Sequence, residues 1–386
     1  MSKSTTTAPV QRTASSSLLM LAFELGEESW QLGFSLGFGH PVLRRRIASR
    51  DTRALLGQIA WARQRLGLGE RAPVVSCYEA GRDGFWLHRF LEAHGIENLL
   101  LDSASIEVNR RKKRAKTDRL DVGKLVGLLI RFRAGERDAF SIVSVPSPAE
   151  EDLRQIGREL KLLKKDRTRI SHRLKGLLAN QGLVLDLRQD LGEQLERMRL
   201  WNGELLPLHL RGRLEHYVED FHYHTKRIRG LEQTRRDRMR ARESGAVEKT
   251  WRMFLLRGVG IESSWMYGTE FFGWREFRNG KQVGSLAGLT PMPFDSGTRE
   301  REQGIGKAGS RWVRGVAIEQ AWAWLRFQPE SALSRWYQRR FGHGSKRLRK
   351  IGIVALARKL LIALWHWVEH GVLPEGALLK TNLRLP

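Results

Sequence analysis

The apolar period of the chain changes at Pro146-Ser147-Pro148, and no single architecture serves both sides of that change. Upstream, short apolar runs alternate with amphipathic stretches. Leu18–Leu25 and Trp30–Leu36 read as two strands of a hairpin around Gly26–Glu28, Pro73–Tyr78 as a strand ending at Glu79, and Asn98–Leu101 as another. Between them lie a basic, helical-looking segment, Val42–Leu66, and a helix over Phe85–His94 stopped by Gly95. A further helix runs from Asp118 to about Phe132, and Ser141–Val145 is an edge strand or an extended connector. Strands alternating with helices after an opening hairpin predict an α/β domain with a mixed sheet. Downstream, Leu153, Ile156, Leu160, Leu163, Ile170, Leu174 and Leu177 keep a heptad alternation broken only at Arg167, the signature of a long helix with a coiled-coil seam. Leu214, Val218, Phe221, Ile228 and Leu231 mark a second long helix. Two such helices pair with each other or with another copy of the chain, and neither arrangement excludes the other.

The character shifts again from Trp251. Leu256–Ser264 (LRGVGIESS) reads as a turn between two helices, resembling a helix-hairpin-helix. Gly258 and Gly260 would let backbone amides approach a phosphate, and the same residues equally suit a tight interhelical turn. Val283–Arg314 reads as a long loop dense in Gly, Ser, Arg and Lys, and loops of that length inside a compact domain usually carry function. Ile351–Val368 is the most membrane-like stretch, but Arg358 and Lys359 interrupt it. Val354, Ala357, Leu361, Leu364 and Val368 form one apolar stripe, so it reads as a core helix rather than a span. Most of the tryptophans sit at helical spacing beside Ala, Val and Leu and read as core. Residues 1–17 are a polar tail without the apolar region of a secretion signal. The single cysteine, Cys77, excludes an internal disulfide and a cysteine-based zinc site.

Charge decides the partner class. Lys and Arg number 68 against 42 Asp and Glu, a net +26, which points to a polyanion, nucleic acid before membrane surface. Six of the seven residues Arg110–Lys116 are basic (Arg110, Arg111, Lys112, Lys113, Arg114 and Lys116), and they lead into Asp118 and Asp121, which flank Arg119 and whose i,i+3 spacing puts both carboxylates on one helix face. Glu24 and Glu79 fall near strand ends, where sites form in open α/β sheets. Basic charge beside paired carboxylates suits delivery of a phosphate backbone to a divalent metal; a solvated helix start with a first-turn acid would look the same. Ser296, between Asp295 and Gly297, is followed by Arg299, Arg301, Lys307, Arg311 and Arg314. That setting suits a phosphoryl-accepting hydroxyl, although most loop serines do no chemistry. Arg339, Arg340, Lys346, Arg347, Arg349 and Lys350 form a further basic cluster suited to backbone contact.

Three blocks carry a family likeness: Cys77–Leu125, with its KTDRLD core; LRGVGIESS; and Leu286–Arg314, with its SG and GIGKAGSRWVR elements. Through them the chain resembles transposases of the IS110 family, IS1111 subgroup. The resemblance implies a RuvC-like, RNase H-type domain at residues 18–147, a coiled-coil region at 148–245 and a C-terminal transposase domain at 246–386. It also implies a DEDD acidic set falling on Glu24, Glu79, Asp118 and Asp121, with a catalytic serine on Ser296. The first acid is a departure, since the family pattern has aspartate where Glu24 stands; the extra methylene moves the carboxylate by about 1 Å, and magnesium is strict about distance. Further implications are Mg²⁺ as cofactor and strand cleavage and rejoining through a phosphoserine at a site shared by the acids and the serine. The partners implied are double-stranded DNA, a structured noncoding RNA bridging donor and target, and further copies of the chain in a dimer or tetramer. The setting implied is the prokaryotic cytoplasm and nucleoid. Two other classes share the residue pattern: a RuvC-like nuclease or junction resolvase using water, and a non-catalytic nucleic-acid scaffold.

Overall fold

The computed structural model describes residues 18–81, 83–102, 105–106, 118–296 and 299–381, with 118–121, 293–296 and 299–303 described by their backbone alone. The chain divides into two compact units, one reaching to Val145 and the other starting at Pro146.

In the first unit β1 (Leu19–Leu25), β2 (Ser29–Ser35) and β3 (Leu43–Ala48) form an antiparallel meander. α1 (Thr52–Arg65) leads to β4 (Val74–Glu79), and α2 (Trp86–Ala93) leads to β5 (Glu97–Leu101). β4 lies parallel to β1, and β5 parallel to β4, so among the described residues the sheet order is β3-β2-β1-β4-β5. α3 (Asp118–Arg133) follows. Strand alternation sorts the core into two layers. Leu19, Leu21, Phe23, Trp30, Leu32, Phe34, Val74 and Tyr78 pack with Leu55 and Ile59 of α1 and Leu87 and Leu91 of α2. Met20, Ala22, Val75 and Cys77 point the other way and pack with Val122, Leu125, Val126 and Leu129 of α3. Helix α3 can come this close because β2 has no side chain at Gly33: a Cβ there would stand 2.8 Å from Val126 Cγ2. Ser141–Val145 is an extended connector with one bridge, Leu101 to Ile142.

Val42–Leu66 is not one helical segment. Its first part is the edge strand β3, where Arg44, Arg45 and Arg46 are exposed and only Ile47 is buried. Exposed arginines are what a sheet edge tolerates, and they hide the strand from an apolar-alternation reading. Asp51 then caps α1 by accepting from Ala54 N at 2.8 Å.

The second unit opens with α4 (Pro148–Ala179), started by a capping box in which Ser147 and Glu150 satisfy each other's backbone amides. α5 (Leu191–Arg197) and α6 (Leu208–Ala241) follow. α4 and α6 run antiparallel: Glu159 meets Arg227, Lys164 meets Glu232, and Ile170 and Leu174 share a core with Leu214 and Val218. Within one chain the two long helices therefore cover each other as a hairpin.

The remaining elements are α7 (Gly245–Leu255), α8 (Ile261–Met266) with a π-helical turn over Tyr267–Phe272, α9 (Gly280–Leu286), β6 (Pro291–Ser296), β7 (Arg299–Ile305), α10 (Arg311–Phe327), α11 (Ala332–Tyr337) and α12 (Lys346–His370). α12 is long and apolar enough to cross a membrane by composition. It is instead the central core helix, with Ile353, Leu356, Leu360, Leu361, Leu364 and Val368 buried among Phe271, Phe272, Val313 and Trp324. The expected long loop over Val283–Arg314 is mostly regular structure: the end of α9 and an antiparallel ribbon of β6 and β7. Two prolines and the charged run REREQ masked that ribbon.

Candidate active site

β1 and β4 are parallel neighbours in the register Phe23 to Tyr78, so the next residue of each, Glu24 and Glu79, falls side by side at the carboxyl ends of the strands. By alternation both stand on the sheet face that carries Ala22 and Cys77, the face α3 covers. They line one pocket of about 410 Å³ with Phe23, Leu25, Tyr78, Ala80, Gly81 and Asp83. The pocket floor is rigid. Tyr78 is buried at the centre of the sheet, and its hydroxyl donates to the Gly84 carbonyl at 3.2 Å and accepts from His88 N at 3.1 Å, pinning the β4–α2 turn. Burial pushes this phenol up to about 12, so it stays protonated at neutral pH. Cys77 lies beneath the same face, fully buried, with its thiol pushed well up by desolvation, and is inert as a nucleophile.

Asp118 opens α3 and Asp121 lies in its first turn, each four residues ahead of a buried anchor, Val122 and Leu125. The side chains of residues 118–121, Arg119 included, lie outside the described residues, as do Arg110, Arg111, Lys112, Lys113, Arg114 and Lys116 altogether. The structure thus brings Glu24 and Glu79 together and places the backbone of the other two acids on the helix that packs on their face. The pocket's charged donors are all carboxylates, with no imidazole or thiol among its lining residues, a donor chemistry that fits a hard cation such as magnesium. Among the described residues no group of three His, Cys, Asp or Glu side chains is close enough to hold an ion by itself.

Asp83 lines this pocket and escapes a reading of the sequence. Its side chain is 4% exposed and accepts from Arg50 Nη2 at 3.3 Å. The only local signal is its place in the turn Gly81–Gly84, directly after Glu79.

In the second unit Ser296 ends β6 and is paired in register with Arg299, the first residue of β7; Arg301 pairs with Phe294. Lys307 and Arg311 are exposed beyond the ribbon. Arg314 is turned to the backbone, its guanidinium donating to the Lys307 carbonyl at 3.0 Å and the Ala287 carbonyl at 3.5 Å. The turn between α7 and α8 holds Gly258 at φ +84°, where a Cβ would meet Phe327 Cβ at 2.8 Å, and Gly260 as the N-cap of α8. Gln320 Nε2 donates to the Gly258 carbonyl at 3.0 Å. Packing against α10 already accounts for the first glycine.

Residues 256–338 match a family model described as the transposase IS116/IS110/IS902 family. Over 376 residues the chain is 37% identical to "Putative transposase y4rJ" of Sinorhizobium fredii, spanning 94% of this chain and 95% of that protein. It is 26% identical over 236 residues to "Probable family 20 transposase" of Pseudomonas aeruginosa, covering 60% and 68% of the two chains.

Proposed function

Because this chain belongs to the IS116/IS110/IS902 family of transposases, we propose that it moves an insertion sequence by metal-assisted phosphoryl transfer through a phosphoserine at Ser296. The observation that carries the reading is the pairing of Glu24 and Glu79 at the ends of adjacent parallel strands, on the face that α3 covers with Asp118 and Asp121 at its start. A meander of three antiparallel strands followed by two parallel ones, in the order β3-β2-β1-β4-β5, supports an RNase H-type, RuvC-like assignment for this unit. The KTDRLD and GIGKAGSRWVR blocks support the IS1111 subgroup.

On this reading Glu24, Glu79, Asp118 and Asp121 hold Mg²⁺, which when bound polarises the scissile phosphate. Ser296 Oγ forms a bond to phosphorus as the bond from phosphorus to one deoxyribose oxygen breaks. The serine proton is released, and the departing sugar oxygen ends as a hydroxyl. The new ester keeps the phosphodiester energy, so attack by another strand's hydroxyl restores DNA and frees the serine. On this reading Arg299, Arg301, Lys307 and Arg311 neutralise phosphate charge near Ser296. The excess of +26 suits a double-stranded DNA substrate together with a structured noncoding RNA. Coordinated cutting of several strands calls for a dimer or tetramer, with the α4–α6 hairpin as its contact.

The test is a covalent trap. Full-length protein, Mg²⁺, the element's terminal RNA and labelled element-junction DNA are mixed, denatured and resolved for a protein–DNA adduct, with Ser296→Ala and Glu79→Gln in parallel. An adduct lost in both variants supports the reading. Cutting that survives Ser296→Ala would assign a water-using nuclease instead. DNA binding without cutting or adduct, even with Glu24→Asp, would leave a scaffold.

A further inference from the structure

Asp83 and Arg50 are unused by that chemistry, yet they stand at its pocket. Arg50 follows β3, whose end lies against the β1–β2 turn: Ala48 pairs with Ser29, and Ser49 N donates to the Glu28 carbonyl at 3.0 Å. That is the end of the sheet where Glu24 and Glu79 sit. Asp83 reaches the same rim from the turn after β4.

Two observations set this pair apart from an ordinary surface bridge. It is one-sided: the Asp83 side chain is 4% exposed, whereas Arg50 remains 56% exposed. A buried carboxylate holds its guanidinium partner in place. Arginine has five N–H donors in a planar fork, and the bond to Asp83 uses one of them, leaving an edge turned to solvent. Second, Arg50 adopts φ +64°, a left-handed backbone that glycine or asparagine takes with less strain. A long side chain kept at such a position argues that the side chain itself is used. Glycine would suit the turn and would remove this guanidinium from the rim.

A phosphate entering a pocket lined by Glu24, Glu79 and Asp83 meets like charge. One guanidinium at the rim, already oriented by Asp83, neutralises Asp83 and offers donors to a non-bridging oxygen. We propose that Arg50 is a phosphate-binding residue of this pocket and that Asp83 is its positioning residue. The inference rests on the reading of the pocket as the place where a DNA strand is handled.

The experiment uses the full-length chain and a labelled duplex carrying the element's own end, with affinity measured across a range of NaCl concentrations. Arg50→Asn and Arg50→Gly keep the left-handed backbone and remove the cation. Both are expected to weaken binding and to lower the slope of log affinity against log salt by about 0.9, the value of one duplex phosphate contact, with the melting temperature held near wild type. Asp83→Asn retains the cation and loosens its hold, so the slope is kept and binding weakens less. In cleavage assays Arg50→Asn raises KM more than it lowers kcat, and Arg50→Lys restores part of the loss. An unchanged affinity and slope in Arg50→Asn would overturn the proposal. So would a purely structural outcome, in which Arg50→Gly and Asp83→Asn lose melting temperature and binding in parallel. Because binding is read without cleavage, a wild-type protein that binds but never cuts would defeat the catalytic reading and leave this assignment standing.

Discussion

Glu270 is where the structure makes its sharpest energetic prediction. It sits in the π-helical turn after α8, 8% exposed, and accepts from Arg154 Nε at 2.9 Å and from Arg158 Nε and Nη2 at 2.6 and 3.1 Å. The two arginines differ in what they can do once the carboxylate is gone. Arg158 is 42% exposed and can turn to water, whereas Arg154 is 9% exposed and lies over Trp274 with its guanidinium 4.9 Å from the ring. Replacing Glu270 by Gln therefore strands one buried charge rather than two, at a cost of about 3–5 kcal/mol. For a unit of this size each kcal/mol shifts melting by about 2–4 °C, so the expected fall is roughly 6–20 °C. Arg158→Ala keeps the Arg154 pair and should cost about 1 kcal/mol, as partly exposed pairs do. Replacing Arg154 and Glu270 together by Met and Leu should recover most of the loss, because no charge is then stranded. Urea unfolding followed by tryptophan fluorescence measures the free-energy costs, and a thermal melt measures the fall in melting temperature. If Glu270→Gln proves no worse than Arg158→Ala, the argument from a stranded arginine is wrong.

Three further outcomes are expected. Gly33→Leu puts a side chain into α3, where even a Cβ would meet Val126 at 2.8 Å, and should destabilise the first unit by about 1–3 kcal/mol in urea unfolding. Lys380 donates to the Val259 carbonyl at 2.8 Å, and burial lowers its ammonium to about 8, below the roughly 10.4 of the unfolded chain. From pH 8 to 9.5 the unfolded chain thus holds a proton the folded one has released, so this group makes stability rise with pH, and Lys380→Met should flatten that rise in urea midpoints. Changing Lys346, Arg347, Arg349 and Lys350, all exposed at the start of α12, to Gln should lower the salt slope of duplex binding by about 0.9 for each phosphate these side chains touch, and leave melting unchanged.

Much of the first unit was legible because its central strands are nearly continuous apolar runs. Leu19–Phe23 and Val74–Tyr78 are buried throughout, so strand ends, and with them Glu24 and Glu79, could be placed from residue type alone. The edge strand was not, since an edge buries so little: Arg44, Arg45 and Arg46 carry no apolar alternation, and β3 exists through its backbone bonds to β2. The ribbon of β6 and β7 failed to show for a related reason. Its stability is in local strand pairing, and Pro291, Pro293 and a charged run read as loop. The α4 and α6 helices announced themselves by period, but which surface each would cover did not follow from period. The pairing of Asp83 with Arg50 spans 33 residues and rests on burial at one end only. No local pattern encodes such a pairing, and it emerges only once β3 and β4 have been placed in the same sheet.

The α4–α6 hairpin has a mechanical corollary. With 32 residues in α4, at 1.5 Å each, it is about 48 Å long. Its ties to the body of the second unit are near one end, through Arg154 and Arg158 to Glu270 and through Lys164 and Arg235 to Glu262. Beyond Ile170 it packs on α5 and α6, its own partners. It is a lever fixed at its root. Measured from Arg154 to Ala179 the arm is about 38 Å, so a tilt of about 5° at the Glu270 anchor would carry the far end through about 3 Å, close to one base-pair step along a duplex. Whatever that end grips, its alignment is set by a carboxylate some tens of ångströms away.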